Sequence, residues 1–97
     1  MQRIEIIGNL AKDAVRVEGQ NGGSPFMSFT VICNEKKGDN EIKASYEVTS
    51  AVSGVLDFLK KGKQVFVAGY PSARSFMNKE NQPQVQMRIS AQAIELL

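Results

Sequence analysis

The chain has 97 residues, of which 42% are apolar and 23% charged, with a net charge of +2, one cysteine and neither histidine nor tryptophan. That length supports one small core with little room for a deep cavity between two lobes. Without histidine the usual general base and the commonest metal ligand are missing, and one cysteine cannot form an internal disulfide or a cysteine-rich zinc site.

The start, Met1-Gln2-Arg3-Ile4, lacks the apolar run of a signal peptide, and no stretch approaches the length of a membrane span. The expectation is a soluble, cytoplasmic, cofactor-free domain over residues 1–97 that binds rather than catalyses. Charge is unevenly spread. Residues 60–90 hold Lys60, Lys61, Lys63, Arg74, Lys79 and Arg88 against Glu80 alone, so this stretch carries +5 and the remainder −3. Such asymmetry suits anion binding better than the small total does.

In chain order, Ile4 and Ile6 open a first strand. It is expected to run from about Arg3 to Val17 with an interruption at Gly8, where glycine permits a bulge. Asn21-Gly22-Gly23 reads as a turn. Met27, Phe29, Val31 and Cys33 alternate with polar residues, the pattern of a half-buried second strand. Lys37-Gly38-Asp39-Asn40 turns the chain into a third strand. There Ile42, Ala44, Tyr46 and Val48 share one face, and Lys43, Glu47 and Thr49 the other. Ser53 is placed to cap a short helix over Gly54–Lys61, with Gly62 as its stop and Lys60 and Lys61 at the negative end of its dipole. Val65 and Val67 mark a fourth strand. Asn78–Pro83 reads as a hairpin tip. In the fifth strand Val85, Met87, Ile89 and Ala91 oppose Gln84, Gln86, Arg88 and Ser90, until Ile94 and Leu96 reverse the phase. That slip predicts a bulge or bend near Ala91–Ala93.

Five strands with a helix between the third and fourth describe an all-β, five-stranded oligonucleotide/oligosaccharide-binding (OB-fold) barrel; such short strands also suit a small SH3-like barrel or an open α+β sheet, and the helix position favours the first. The candidate ligand contacts lie on the last hairpin. Arg74 and Phe76 point the same way on an extended strand, Lys79 sits near the tip, and Arg88 lines the polar face of the returning strand. Tyr70 is a second candidate platform or part of a subunit face. Lys36 and Lys37 either touch phosphates or keep an edge soluble. Cys33 shares the parity of Phe29 and Val31 and reads as a core thiol.

Ile7-Gly8-Asn9-Leu10 with Lys12-Asp13 and Val15-Arg16 resembles the opening strand of bacterial single-stranded-DNA-binding proteins. Ser28-Phe29-Thr30-Val31 with Asn34-Glu35, Leu59–Gly69, Arg74-Ser75-Phe76 and Ala93–Leu97 are similar to later blocks of that family, in order. The resemblance implies an OB fold, a homo-oligomer and sequence-tolerant binding of single-stranded DNA in replication, repair and recombination. It makes Phe76 a stacking platform, Arg74 a phosphate clamp and Arg16 a matching basic position. Lys36 stands where the family has a tryptophan, and the family's third-strand tryptophan corresponds to Tyr46, which alternation assigns to the core side. The family's acidic C-terminal tail, which recruits replication proteins, has no counterpart before Leu97. The alternative is a protein-interaction barrel of a replication or primosome complex with weak or no DNA binding.

Overall fold

Alternation is the rule that builds the molecule. In the computed structural model, which describes residues 1–97, β1 spans Ile4–Leu10, β2 Val15–Val17, β3 Phe26–Lys37, β4 Asn40–Ala51, β5 Gln64–Met77 and β6 Pro83–Leu96. The ladder runs β1-β5-β6-β4-β3-β2, and a further β1–β3 pairing closes it. Closure makes a five-strand barrel, because β1 and β2 are two pieces of the expected first strand. The inward residues of each strand meet inside. Val31, Val48, Val65, Val67 and Leu59 are fully buried, joined by Met27, Phe29, Ile89 and Leu10. Burying such a side chain contributes about 1.5–3 kcal/mol.

The break in the first strand lies at residues 11–14, beyond Gly8. Gly8 instead permits a close approach, since a Cβ there would sit 2.5 Å from the Ile32 carbonyl oxygen across the closing seam. The chain leaves β1 where its partners change. The Leu10 N–H donates to Lys63 O, Gly62 N–H to Leu10 O and Ala14 N–H to Leu59 O, each at 2.9 Å. These bonds tie the break to the turn before β5.

That turn is tighter than expected. The predicted helix is a single 3₁₀ turn over Gly54–Phe58, and the Ser53 side chain makes no capping hydrogen bond. A glycine start followed by β-branched Val55 and only five residues cannot offset α-helix nucleation. The turn delivers Leu59 into the core. Lys60 and Lys61 fall outside it: the Lys61 N–H donates to Asp13 Oδ1 at 2.8 Å, and Lys60 Nζ lies 4.0 Å from Asp13 Oδ2.

The predicted phase slip is present. Ala68 pairs with Ala93 and Gly69 with Ala91, so Gln92 is the extra residue of a bulge. A Cβ on Gly69 would collide with the Ser90 carbonyl oxygen, so the residue opposite the bulge must be glycine. The Asn78–Pro83 tip also forms. Asn78 Oδ1 accepts from the Glu80 and Gln82 N–H groups, both at 2.9 Å.

Two long hairpins position the site. The β3–β4 ladder continues to Lys37–Asn40, and the β5–β6 ladder to Met77–Pro83. The parallel pairing that joins the hairpins covers only Tyr46–Thr49 with Met87–Ser90. Because β4 and β6 run parallel, both outer halves project as arms from the same end of the barrel.

Candidate nucleic-acid interface

Residues opposite one another in a ladder share a face. Tyr70 pairs with Ser90, Ser72 with Arg88, Arg74 with Gln86 and Phe76 with Gln84. These eight side chains therefore occupy one face of the β5–β6 hairpin. The opposite face carries Ile89 into the core, so the Tyr70–Phe76 row lies on the outside of the barrel. The parallel ladder extends this face across β4 and β3, adding Thr49 and Ser28 beside Ser90, and Glu47 and Thr30 beside Arg88.

Phe76 is 41% exposed and Tyr70 40%. They lie six positions apart, about 20 Å along an extended strand, with Arg74 between. The bulge residue Gln92 donates from Nε2 to the Tyr70 hydroxyl at 2.9 Å and holds that ring in place. Arg88 is half-buried, with Nε 3.5 Å from Glu47 Oε2. Lys79 is exposed near the arm tip.

The sequence-predicted residues thus separate into groups. Tyr70, Arg74, Phe76 and Arg88 come together on the outer face. Lys36 shares the outer parity of β3 with Ser28 and Thr30, and Lys37 points to the opposite face of the same arm. Arg16 pairs with inward-facing Met27 on the short edge strand β2, and its Nε is 2.9 Å from Glu18 Oε1. It lies away from the Tyr70–Phe76 row. Tyr46 packs half-buried against the core, opposite Val31 and beside Met87.

Three residues of this face were not singled out from the sequence: Lys43, which pairs with Asn34; Phe26, exposed at the start of β3; and Glu47. The β4 alternation already put Lys43 and Glu47 on the polar side. Phe26 was obscured by its neighbours, since Met27 and Phe29 fixed the apolar phase.

Tyr46 also lines an apolar cleft of about 620 Å³ between β1 and the β3–β4 arm, with Ile7, Phe66, Ala44, Ile42 and Cys33. Burial, and then the nearby Glu35 carboxylate, push the Cys33 thiol above its ordinary value. That makes it a poor nucleophile. No cluster of three or more cysteine, aspartate or glutamate side chains is placed to hold a metal ion. No helix is long and apolar enough to cross a membrane.

A closed five-strand barrel with one short turn between its third and fourth strands is an oligonucleotide/oligosaccharide-binding fold. The chain belongs to the single-strand binding protein family, whose profile matches residues 1–97. It is 26% identical over 100 aligned positions to single-stranded DNA-binding protein 2 of Chlorobaculum tepidum, covering 95% of this chain and 68% of that one. Its fold is similar to that of a small single-stranded DNA-binding protein from Streptomyces coelicolor (TM-score 0.75, 21% identity, 99% of this chain and 94% of that one). It also resembles the Plasmodium falciparum SSB solved in complex with ssDNA (TM-score 0.69, 20% identity, 100% of this chain and 93% of that one).

Proposed function

We propose that the outer face of β3, β4, β6 and β5 binds single-stranded DNA with little regard to sequence, as a non-enzymatic step in replication, repair and recombination in the cytoplasm. Tyr70 and Phe76 stack bases. Arg74, Lys43, Lys36 and Lys79 neutralise phosphates. Every base has a π-face, so stacking tolerates any sequence. The supporting observation is that Tyr70, Arg74 and Phe76 share one face of a projecting hairpin, with both rings exposed. Arg16, Lys37 and Tyr46 lie off this track. With about 4 phosphates neutralised, the logarithm of affinity falls against the logarithm of salt with a slope of roughly −3. Titration with a thymine oligomer at two salt concentrations measures that slope, and absence of binding at low salt overturns the reading.

A second copy of this chain covers the β1 side in the same reading. β1 pairs with β5 along its length but with β3 only at Asn9–Leu10, leaving one edge of Ile4–Gly8 unpaired. Ile7 and Phe66 face outward there as neighbours in the ladder. An unpaired edge beside apolar side chains favours pairing with another strand. Light scattering reads the mass of the wild type and of Ile7→Asp. A monomeric wild type at micromolar concentration removes this part and leaves the DNA-binding part untouched.

A further inference from the structure

Near the middle of the outer face a carboxylate interrupts the cations. Glu47 stands beside Arg88 in the parallel ladder, with Thr30 across from it on β3 and Ser72 across from Arg88 on β5. Both side chains are partly exposed, 36% for Glu47 and 39% for Arg88. Their contact, at 3.5 Å between Oε2 and Nε, is an ion pair without a hydrogen bond, since the Arg88 Nε is shielded from solvent and has no hydrogen-bond partner.

The pair largely cancels its own charge. A phosphate gains little from this row, in contrast to the rows of Arg74 and Lys43. A surface serving only to hold a backbone is better served by the arginine alone. What the pair offers is an acceptor and a donor side by side on adjacent strands. The carboxylate keeps lone pairs and the guanidinium keeps terminal N–H groups for a ligand. Tyr70 is the diagonal neighbour of Arg88 across the β5–β6 ladder, at about 7–8 Å. That spacing puts the pair within reach of the hydrogen-bonding edge of a base stacked on Tyr70.

The four bases differ in what that edge presents. Guanine has two adjacent donors, N1–H and N2–H, beside the O6 acceptor. It engages both carboxylate oxygens and still accepts from the guanidinium. Thymine has one donor, N3–H. Cytosine and adenine each offer one amino group. We propose that Glu47 and Arg88 form a guanine-preferring reading pair within a surface that is otherwise tolerant of sequence. The proposal rests on the reading that this face holds the strand.

The test compares binding of thymine oligomers with oligomers in which isolated thymines are replaced by guanine or by inosine, which lacks the N2 amino group. The wild type is expected to bind the guanine oligomer about fivefold to tenfold more tightly than the thymine one, the low end for a two-pronged base contact at a half-exposed position. Inosine should lose most of that gain. Glu47→Ala should bring the three oligomers to one affinity and bind thymine at least as tightly, because a negative charge leaves the face. Equal wild-type affinities, or a guanine preference that survives Glu47→Ala, overturns the proposal. So does an equal loss for all three oligomers in Glu47→Ala, which makes Glu47 a holder of Arg88 only. Arg74→Ala and Phe76→Ala separate the two levels. If they weaken all three oligomers alike, the face reading stands whatever Glu47 does. If they change nothing while the chain still binds, the strand lies elsewhere and both readings fall.

Discussion

Replacing Phe76 by alanine removes one ring from the outer arm and nothing from the core. Phe76 pairs with Gln84 beyond the segment where β4 braces β6, and it is absent from the buried cluster. The fold is therefore expected to lose only the ring's partial cover on the arm, about 1–2 kcal/mol, and to remain folded. Binding is a different matter. A ring 41% exposed has much of its surface covered by the arm and offers one face to a base. Loss of a single stacked base costs about 1–3 kcal/mol, and a value near 1.5 is about a tenfold rise in Kd. Fluorescence anisotropy with a labelled thymine oligomer reads this, with a thermal melt as the fold control. The salt dependence adds a sharper criterion. Stacking releases no counterions, so Phe76→Ala should keep the wild-type slope. Arg74→Ala removes one phosphate contact and should make the slope shallower by about 0.7. A Phe76→Ala affinity within twofold of wild type, or a slope that shifts as it does for Arg74→Ala, refutes the stacking assignment.

Three further outcomes follow from the barrel itself. Gly69→Ala forces a methyl group onto the Ser90 carbonyl and should destabilise the chain by about 1–3 kcal/mol, read from the urea midpoint; an unchanged midpoint removes the steric account of the bulge. Leu59→Ala empties the core position filled by the 3₁₀ turn and should cost about 2–5 kcal/mol in the same assay. The third concerns pH. The folded Cys33 thiol has a pKa raised above its ordinary value of 9.0, so the unfolded chain releases that proton first. Its contribution is complete below pH 9.0 and is lost as pH rises through the folded value. Between pH 8 and 10 the wild type should therefore lose more stability than Cys33→Ala, and equal losses contradict this.

Much of the architecture is legible because a strand with one wet face writes a period of two into its residues. Met27–Cys33 and Gln84–Ala91 show it, and the reversal of phase at Ile94 is enough to mark the bulge. What escapes is set by partners distant in sequence. The break at residues 11–14 depends on hydrogen bonds to residues 59–63, so Gly8, a local signal, pointed to the wrong place. The 3₁₀ turn was hidden because Gly54–Lys61 carries enough helical spacing to suggest a longer element, whereas the burial of Leu59 decides where it stops. The meeting of Glu47 with Arg88 arises from a parallel pairing between two different hairpins. Alternation gives the face of each residue and is silent on which strand lies beside it.

The bulge shows how core and binding face constrain each other in so small a barrel. Ile89 and Ile94 lie five positions apart, an odd number, so an unbroken strand would send them to opposite faces. Both nonetheless pack with the core cluster. One extra residue reconciles the two demands. That residue, Gln92, is left without a cross-strand partner, and its amide is free to hold the Tyr70 hydroxyl. A device needed to keep both isoleucines inside thus also fixes an aromatic ring outside. Gly69 is the condition for both, since no side chain fits beneath the displaced Ser90 carbonyl. A substitution at Gly69 should accordingly disturb stability and the setting of Tyr70 together, while one at Gln92 should release Tyr70 and leave the core intact.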